Sequence, residues 1–277
     1  MVNTNRISIL GSGSMGSAIL AGLLASGVDS SQVTITTKSE ESAKSLADQL
    51  GVTALSLEGD PSANSAAVVD ADVVLVAVKP AYVVEVLKET AANLKTGSLV
   101  ISVAAGITTA SMESVVPDSV AVVRSMPNTP AIVGRAVTGI STGSRVSNDQ
   151  LETALELFET VGRVVVLPED QIDALSTISG SGPAYVYFLI EQLTVAAQNM
   201  GFGEDIAAML VEETFAGATE LLSVAEQSPE ALRKQVTSPN GTTMQAVAVL
   251  EKANLDGIFT EALKAALARA KEIAAGK

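Results

Sequence analysis

The sequence predicts an α/β protein in two parts: an N-terminal doubly wound, mostly parallel sheet flanked by helices, followed by an all-α C-terminal domain. Three observations carry that prediction. Short apolar runs alternate with helical patterns as far as Pro168, the order that builds a parallel sheet. Beyond Pro168 almost every stretch has helical periodicity. Hydrophobic residues make up 47% of the 277 and aromatics only 3%, so the core is Ala, Val, Leu and Ile, as in parallel sheets and close-packed helices. The two domains are placed at residues 1–167 and 168–277.

In chain order, Arg6 to Leu10 reads as the first strand, followed by Gly11-Ser12-Gly13-Ser14-Met15-Gly16 and a helical pattern to Gly27. A strand, a G-x-G-x-x-G turn and a helix in this order form a Rossmann-type dinucleotide fingerprint. Gly11 permits the tight turn, Gly13 lets backbone N–H groups approach a pyrophosphate, and Gly16 lets the helix pack close. The positive helix end then faces the anion.

Val33 to Thr36 is the second strand. The acidic residue that an NAD site places after it is missing; Thr37, Lys38 and Ser39 stand there instead. Hydroxyls and a lysine could accept a 2′-phosphate, which favours NADPH with NADH possible, or Lys38 is only a solvated loop residue. Glu40 to Leu50 is a helix ended by Gly51, and Pro61 to Val69 is a shorter one carrying Asn64. Val73 to Val78 is an apolar strand that ends at Lys79-Pro80. Ala77, Val78 and Lys79 therefore lie at the carboxyl edge, where such sheets bind ligands, although Lys79 could simply be leaving the core.

Tyr82 to Leu94 is helical and Leu99 to Val103 is a strand. Ala104-Ala105-Gly106 makes a small-residue turn against which a cofactor could lie. Strand Val120 to Arg124 runs into Met126-Pro127-Asn128-Thr129-Pro130, a loop stiffened by two prolines that puts Asn128 at a carboxyl edge; an ordinary turn would look the same. Ala136 to Ser141 and Val164 to Leu167 close the sheet around a helix from Asn148 to Val161.

In the second part, Gln171 to Thr177 leads to Ser179-Gly180-Ser181-Gly182-Pro183-Ala184-Tyr185, which reads as a flexible loop feeding a buried helix. Helices follow over Pro183 to Asn199, Asp205 to Glu226, Pro229 to Val236, Met244 to Ala253 and Gly257 to Ala275. Ala262, Ala265, Ala266 and Ala270 form a stripe that permits close helix packing, including against a second copy of the chain. Thr237-Ser238-Pro239-Asn240-Gly241-Thr242-Thr243 offers small residues and a helix N-terminus, a good cradle for a carboxylate. The competing reading is an N-cap loop in which Thr242 or Thr243 merely caps the next helix.

Composition removes several chemistries. With no Cys and no His, thiolate catalysis, disulfides, His-based triads and zinc sites with N or S ligands are excluded, and no metal is expected. A formal charge of -14 repels nucleic acid and anionic membranes. Neither a signal peptide nor an apolar run of membrane-spanning length is read, so the expected location is the cytoplasm. Ser179 and Ser181 have no activating base in view and are not nucleophiles.

Taken together, the glycine turn, Val78-Lys79-Pro80, Met126 to Pro130, Ser179 to Tyr185 and Ser238 to Thr243 resemble the pyrroline-5-carboxylate reductase family, in that family's order and spacing over nearly the whole chain. The resemblance implies reduction of L-1-pyrroline-5-carboxylate to L-proline by NADPH or NADH. It implies cofactor contacts from Ser12 to Gly16, near Thr37, at Asn64 and from Ala77 to Lys79. It also implies that Ser238 and the Asn240, Gly241, Thr242 and Thr243 backbone bind the substrate carboxylate, with the Thr243 hydroxyl as the catalytic group beside the ring nitrogen and Glu169 and Ser176 lining the pocket. A dimer with intertwined helical domains, assembled further into a ring, and a pocket completed by the neighbouring subunit follow from the same resemblance.

Two departures stand out. Asn240-Gly241 replaces the family's Gly-Gly, which Asn tolerates because it enters left-handed backbone more readily than most residues, and Gln235 replaces an Asn. The nearest alternatives are a 3-hydroxyacid dehydrogenase or related imine reductase, and a non-catalytic NADP-binding protein. The first usually relies on a lysine from the first long helix of the second domain, and Pro183 to Asn199 contains none. The second has no need of a carboxylate cradle.

Overall fold

The structure, a computed structural model, describes residues 5–274. Eight strands form one sheet: β1 (Ile7–Leu10), β2 (Val33–Thr37), β3 (Thr53–Ser56), β4 (Val73–Val76), β5 (Leu99–Ser102), β6 (Ala121–Met126), β7 (Ala136–Thr142) and β8 (Gly162–Val166). Their order is β3-β2-β1-β4-β5-β6-β7-β8. The first six are parallel; β7 turns antiparallel to β6, and β8 runs parallel to β7. The order reverses between β1 and β4, so the loops after these two strands flank the crevice where doubly wound sheets bind ligands.

Alternation along the strands builds two cores. Ile7, Ile9, Ile35, Leu75, Ile101 and Val123 pack on one face with Ile19 and Leu23 of α1 (Ser14–Ala25) and Leu157 and Phe158 of α6 (Asn148–Glu159). Leu10, Val74, Val76, Val100 and Val122 face the other way, onto Val83 and Leu87 of α4 (Pro80–Thr90). Helices α2 (Glu40–Leu50) and α3 (Ala63–Val68) complete the early crossovers. Gly51 ends α2 in the left-handed conformation, as the sequence predicts.

Two elements escape the sequence reading. Strand β3 is an edge strand with no residue fully buried, so Thr53-Ala54-Leu55-Ser56 carries no continuous apolar run. Helix α5 (Thr109–Glu113) is a single capped turn that buries only Thr109 and Met112.

The expected flexible loop at Ser179 to Tyr185 is corrected. Helix α7 (Glu169–Leu175) passes into a π-helical turn, Ser176–Gly180, closed by Ser181 N–H to the Ser176 carbonyl at 2.9 Å, and α8 (Gly182–Asn199) begins at once. Gly and Ser, which suit a loop, here suit the wide π turn, a form that recurs at functional sites.

Because α7 packs on β6 and β7, the compact sheet unit reaches Ser181, and a helical unit spans Gly182–Ala265. The latter holds α8, α9 (Glu204–Val224), α10 (Pro229–Gln235) and α11 (Thr242–Glu251); α12 runs from Leu255 to Ala274. Ala275, which the sequence assigned to the last helix, lies outside the described residues. In the helical unit only Ala207 and Val211 are buried among the described residues.

Candidate cofactor and anion sites

The glycine turn after β1 is held by packing and by one polar relay. Gly11 has φ of 106°, and a Cβ there would stand 2.9 Å from the Ala77 carbonyl oxygen. At Gly16 a Cβ would come within 2.2 Å of the Gly11 carbonyl oxygen, so α1 can start this close only with glycine. A Cβ at Gly13 would meet no protein atom within 4 Å. The first and third glycines are thus required by the protein's own packing, whereas Gly13 leaves backbone accessible. Gly13 is the N-cap of α1, with no side-chain cap and no acid in the first turn, so the N–H groups from Ser14 onward remain available to a pyrophosphate. These residues fit a dinucleotide.

Asn64 does more than border this turn. It is 3% exposed, and its Oδ1 accepts from the Thr36 hydroxyl at 2.8 Å; the Thr36 oxygen accepts from Gly11 N–H at 3.2 Å. Thr36 was not singled out from the sequence, although a polar residue ending an otherwise apolar strand is a signal for such a brace. Ala77 donates its N–H to the Leu10 carbonyl, which sets the loops after β1 and β4 side by side. Val78 is half-buried, and Lys79 is an exposed N-cap of α4 with no ion pair among the described residues. Ala104 is buried, Ala105 is exposed and Gly106 turns the chain with φ of 75°.

After β2, the Thr37 hydroxyl donates to the Ser39 carbonyl at 2.7 Å. The Ser39 hydroxyl caps α2 by accepting from Ser42 N–H and donates to the Ser42 hydroxyl. Lys38 is exposed. Asn128 is 8% exposed; its Nδ2 donates to the Ser179 carbonyl and its Oδ1 accepts from Val137 N–H, each at 2.8 Å. It therefore ties the π turn to β7.

A charged cluster under the same turn also went unread. Arg124, with a side chain only 4% exposed, pairs with Asp173 and lies 3.6 Å from Glu169. Glu169 accepts from the Thr109 N–H at 2.7 Å and from its hydroxyl at 2.8 Å. Both Glu169 oxygens are thus engaged inside the sheet unit. The half-buried Ser176 donates its hydroxyl to the Asp173 carbonyl. An arginine inside an apolar strand was the available signal.

In the helical unit, Ser238 to Gly241 forms a turn closed by Gly241 N–H to the Ser238 carbonyl at 3.0 Å. Asn240 sits at φ of 59°, the left-handed conformation that Asn tolerates. Gly241 is the N-cap of α11, with no side-chain cap and no acidic residue in the first turn. The competing reading of Thr242 or Thr243 as the cap is therefore overturned: they are the first two helical residues, and their N–H groups are open to an anion. Thr243 is half-buried and its hydroxyl has no partner among the described residues. The Ser238 side chain faces Gly241, where a Cβ would lie 2.5 Å from its oxygen.

Comparison with known proteins matches two segments of the chain. Residues 169–273 match the family model for pyrroline-5-carboxylate reductase dimerisation, and residues 6–106 match that for NADP oxidoreductase, coenzyme F420-dependent. A pyrroline-5-carboxylate reductase of Corynebacterium melassecola is 37% identical over 96% of this chain and 98% of its own. The chain belongs to the pyrroline-5-carboxylate reductase family.

Among solved members of that family, the Coxiella burnetii reductase superposes with a TM-score of 0.91 at 39% identity, covering 98% of both chains. The Plasmodium falciparum reductase, solved with NADP bound, gives 0.82 at 25% identity over 98% of this chain and 99% of its own. The fold is that of an NAD(P)H-dependent oxidoreductase with a helical dimerisation domain.

Proposed function

We propose that this family member reduces the C=N bond of L-1-pyrroline-5-carboxylate to give L-proline, the last step of proline synthesis. The observation that carries this reading is the uncapped start of α11 behind Asn240 and Gly241, a carboxylate cradle in a chain that also has a dinucleotide turn. Ser14 to Gly16 and the braced Gly11 turn hold the pyrophosphate, and the loop after β4 borders the same crevice. When bound, the reduced nicotinamide dinucleotide supplies the hydride; NADPH and NADH are both compatible.

The substrate carboxylate is held by the N–H groups opening α11 and by the Ser238 hydroxyl. A protonated cyclic imine is already electrophilic, so the protein's part is to align it, exclude water and hold the ring nitrogen. The Thr243 hydroxyl accepts from the iminium N–H and helps keep the proton in place as the amine forms. Glu169 and Ser176 belong to the wall of the pocket, fixed in position by Thr109 and Asp173.

Self-association completes the proposal. The helical unit exposes too much apolar surface to stand alone, and a second copy covers it and finishes the pocket. No described helix is long and apolar enough to cross a membrane, and a cytoplasmic setting is part of the same reading.

The test is consumption of NADPH or NADH, followed by absorbance, on addition of pyrroline-5-carboxylate. Thr243→Val lowers turnover about 10- to 100-fold and Thr243→Ser restores most of it. Unchanged turnover and affinity in Thr243→Val would remove the role given to that hydroxyl. No consumption of either cofactor by the unaltered protein would remove the function.

A further inference from the structure

The expectation of NADPH counts Thr37, Lys38 and Ser39 as donors to a 2′-phosphate. A hydroxyl has one proton to give, and in this loop Thr37 gives it to the Ser39 carbonyl and Ser39 gives it to Ser42. Lys38 is left as the side-chain cation of the three. Against it stands a group from another loop. Strand β3 pairs Ser56 with Thr37, and the chain continues alongside: Leu57 N–H donates to the Thr37 carbonyl and Glu58 N–H to the Lys38 carbonyl at 3.1 Å. The Glu58 carboxylate then folds back to accept from Glu40 N–H, also at 3.1 Å. Glu58 therefore brackets residues 38–40, and its charge sits at the opening of α2, on an N–H that a phosphate would otherwise use. Glu40 and Glu41 add two more acids to the same helical turn.

From this arrangement we infer that Glu58 is a specificity-determining residue that turns the site against a 2′-phosphate and toward NADH. The inference rests on the dinucleotide reading above. The end of β2 is where a doubly wound sheet meets the adenosine ribose, and an acid there accepts from a free 2′-hydroxyl and repels a 2′-phosphate. In this chain the acid comes not from the end of β2 but from the loop after β3. It is held there by backbone on one side and by a helix N–H on the other. Lys38 is one exposed cation against three acids, Glu58, Glu40 and Glu41, so it offsets only part of that repulsion.

The test is calorimetric titration of 5′-AMP and of 2′,5′-ADP into the unaltered protein and into Glu58→Gln and Glu58→Ala. Glutamine keeps an acceptor for Glu40 N–H while removing the charge, and alanine removes both. The unaltered protein binds 5′-AMP at least as tightly as 2′,5′-ADP. Both variants tighten 2′,5′-ADP about fivefold and change 5′-AMP by less than about twofold, and the gain shrinks as salt rises. Unchanged affinity for 2′,5′-ADP in both variants, or a gain that is the same for both nucleotides, would overturn the role of Glu58. If the unaltered protein bound neither nucleotide nor NADH, the dinucleotide site itself would fall, and this inference with it.

Discussion

In the sheet unit Ile9, Ile35, Leu75 and Ile101 are wholly inaccessible, whereas on α8 Val186, Tyr187, Phe188, Leu189 and Leu193 are 43 to 60% exposed. Both stretches are apolar, and both read from the sequence as buried. The central strands are satisfied because helices of their own chain pack on both faces, α1 and α6 on one and α4 on the other. Helix α8 packs on α9 and leaves much of its remaining apolar surface open. Completing the burial of such side chains is worth on the order of 1 kcal/mol each. Burial of a helix therefore depends on how many copies of the chain are counted, and the proposed self-association is what would cover α8.

The largest expected effect comes from attacking that difference directly. Charges at two exposed apolar positions, Phe188→Asp with Leu193→Glu, cost about 5 kcal/mol or more in the assembled protein by burying unpaired carboxylates. Light scattering then reports monomers, and circular dichroism shows a helical transition well below that of the sheet. A full-size oligomer of unchanged stability would mean that this face is not where copies meet.

A second, smaller effect belongs to the sheet unit alone. Arg124→Met leaves Asp173 and Glu169 without their cation and costs about 3 kcal/mol, while light scattering shows the oligomer unchanged. Because Arg124 anchors α7 beneath the π turn, the Michaelis constant for the imine rises as well. Loss of the oligomer in this variant would show that the two units do not divide stability as described.

The glycine turn separates packing from binding within one motif. Gly16→Ala forces a Cβ to 2.2 Å from the Gly11 carbonyl oxygen, so the backbone has to shift, at a cost of about 2 kcal/mol. The smallest expected change in stability is that of Gly13→Ala, whose Cβ meets nothing. Its thermal midpoint stays within about 2 °C of the unaltered protein, yet cofactor affinity falls about tenfold because the methyl group stands where the anion approaches. Thermal melts and cofactor titrations on the pair check this, and a Gly13→Ala protein that binds cofactor normally would break the assignment.

Much of the local backbone around the candidate sites was legible in the sequence. Gly11 makes the tight turn and Gly16 the close packing that the spacing assigns to them, Gly13 leaves open backbone between them, and Asn240 takes the left-handed backbone expected of it. Less legible were the residues that act through others. Thr36 and Asn64 brace Gly11 across a separation of 53 residues in the chain, and Arg124 meets Asp173 and Glu169 only because α7 crosses β6. Loop chemistry misled at Ser179 to Tyr185, since Gly, Ser and Pro fit a π turn and a helix start as well as they fit a flexible link.

The sequence by itself determined the strand and helix order, the glycine turn after β1, the absence of His and Cys chemistry and the left-handed turn before α11, because each depends on residues adjacent in the chain. Only the tertiary structure decided the pairing of β3 beside β2, the capture of Glu58 at the start of α2, the clamp on Glu169 and the exposure of α8. Each of these is a contact between distant segments or a matter of what covers a surface. Local propensity carries no record of either.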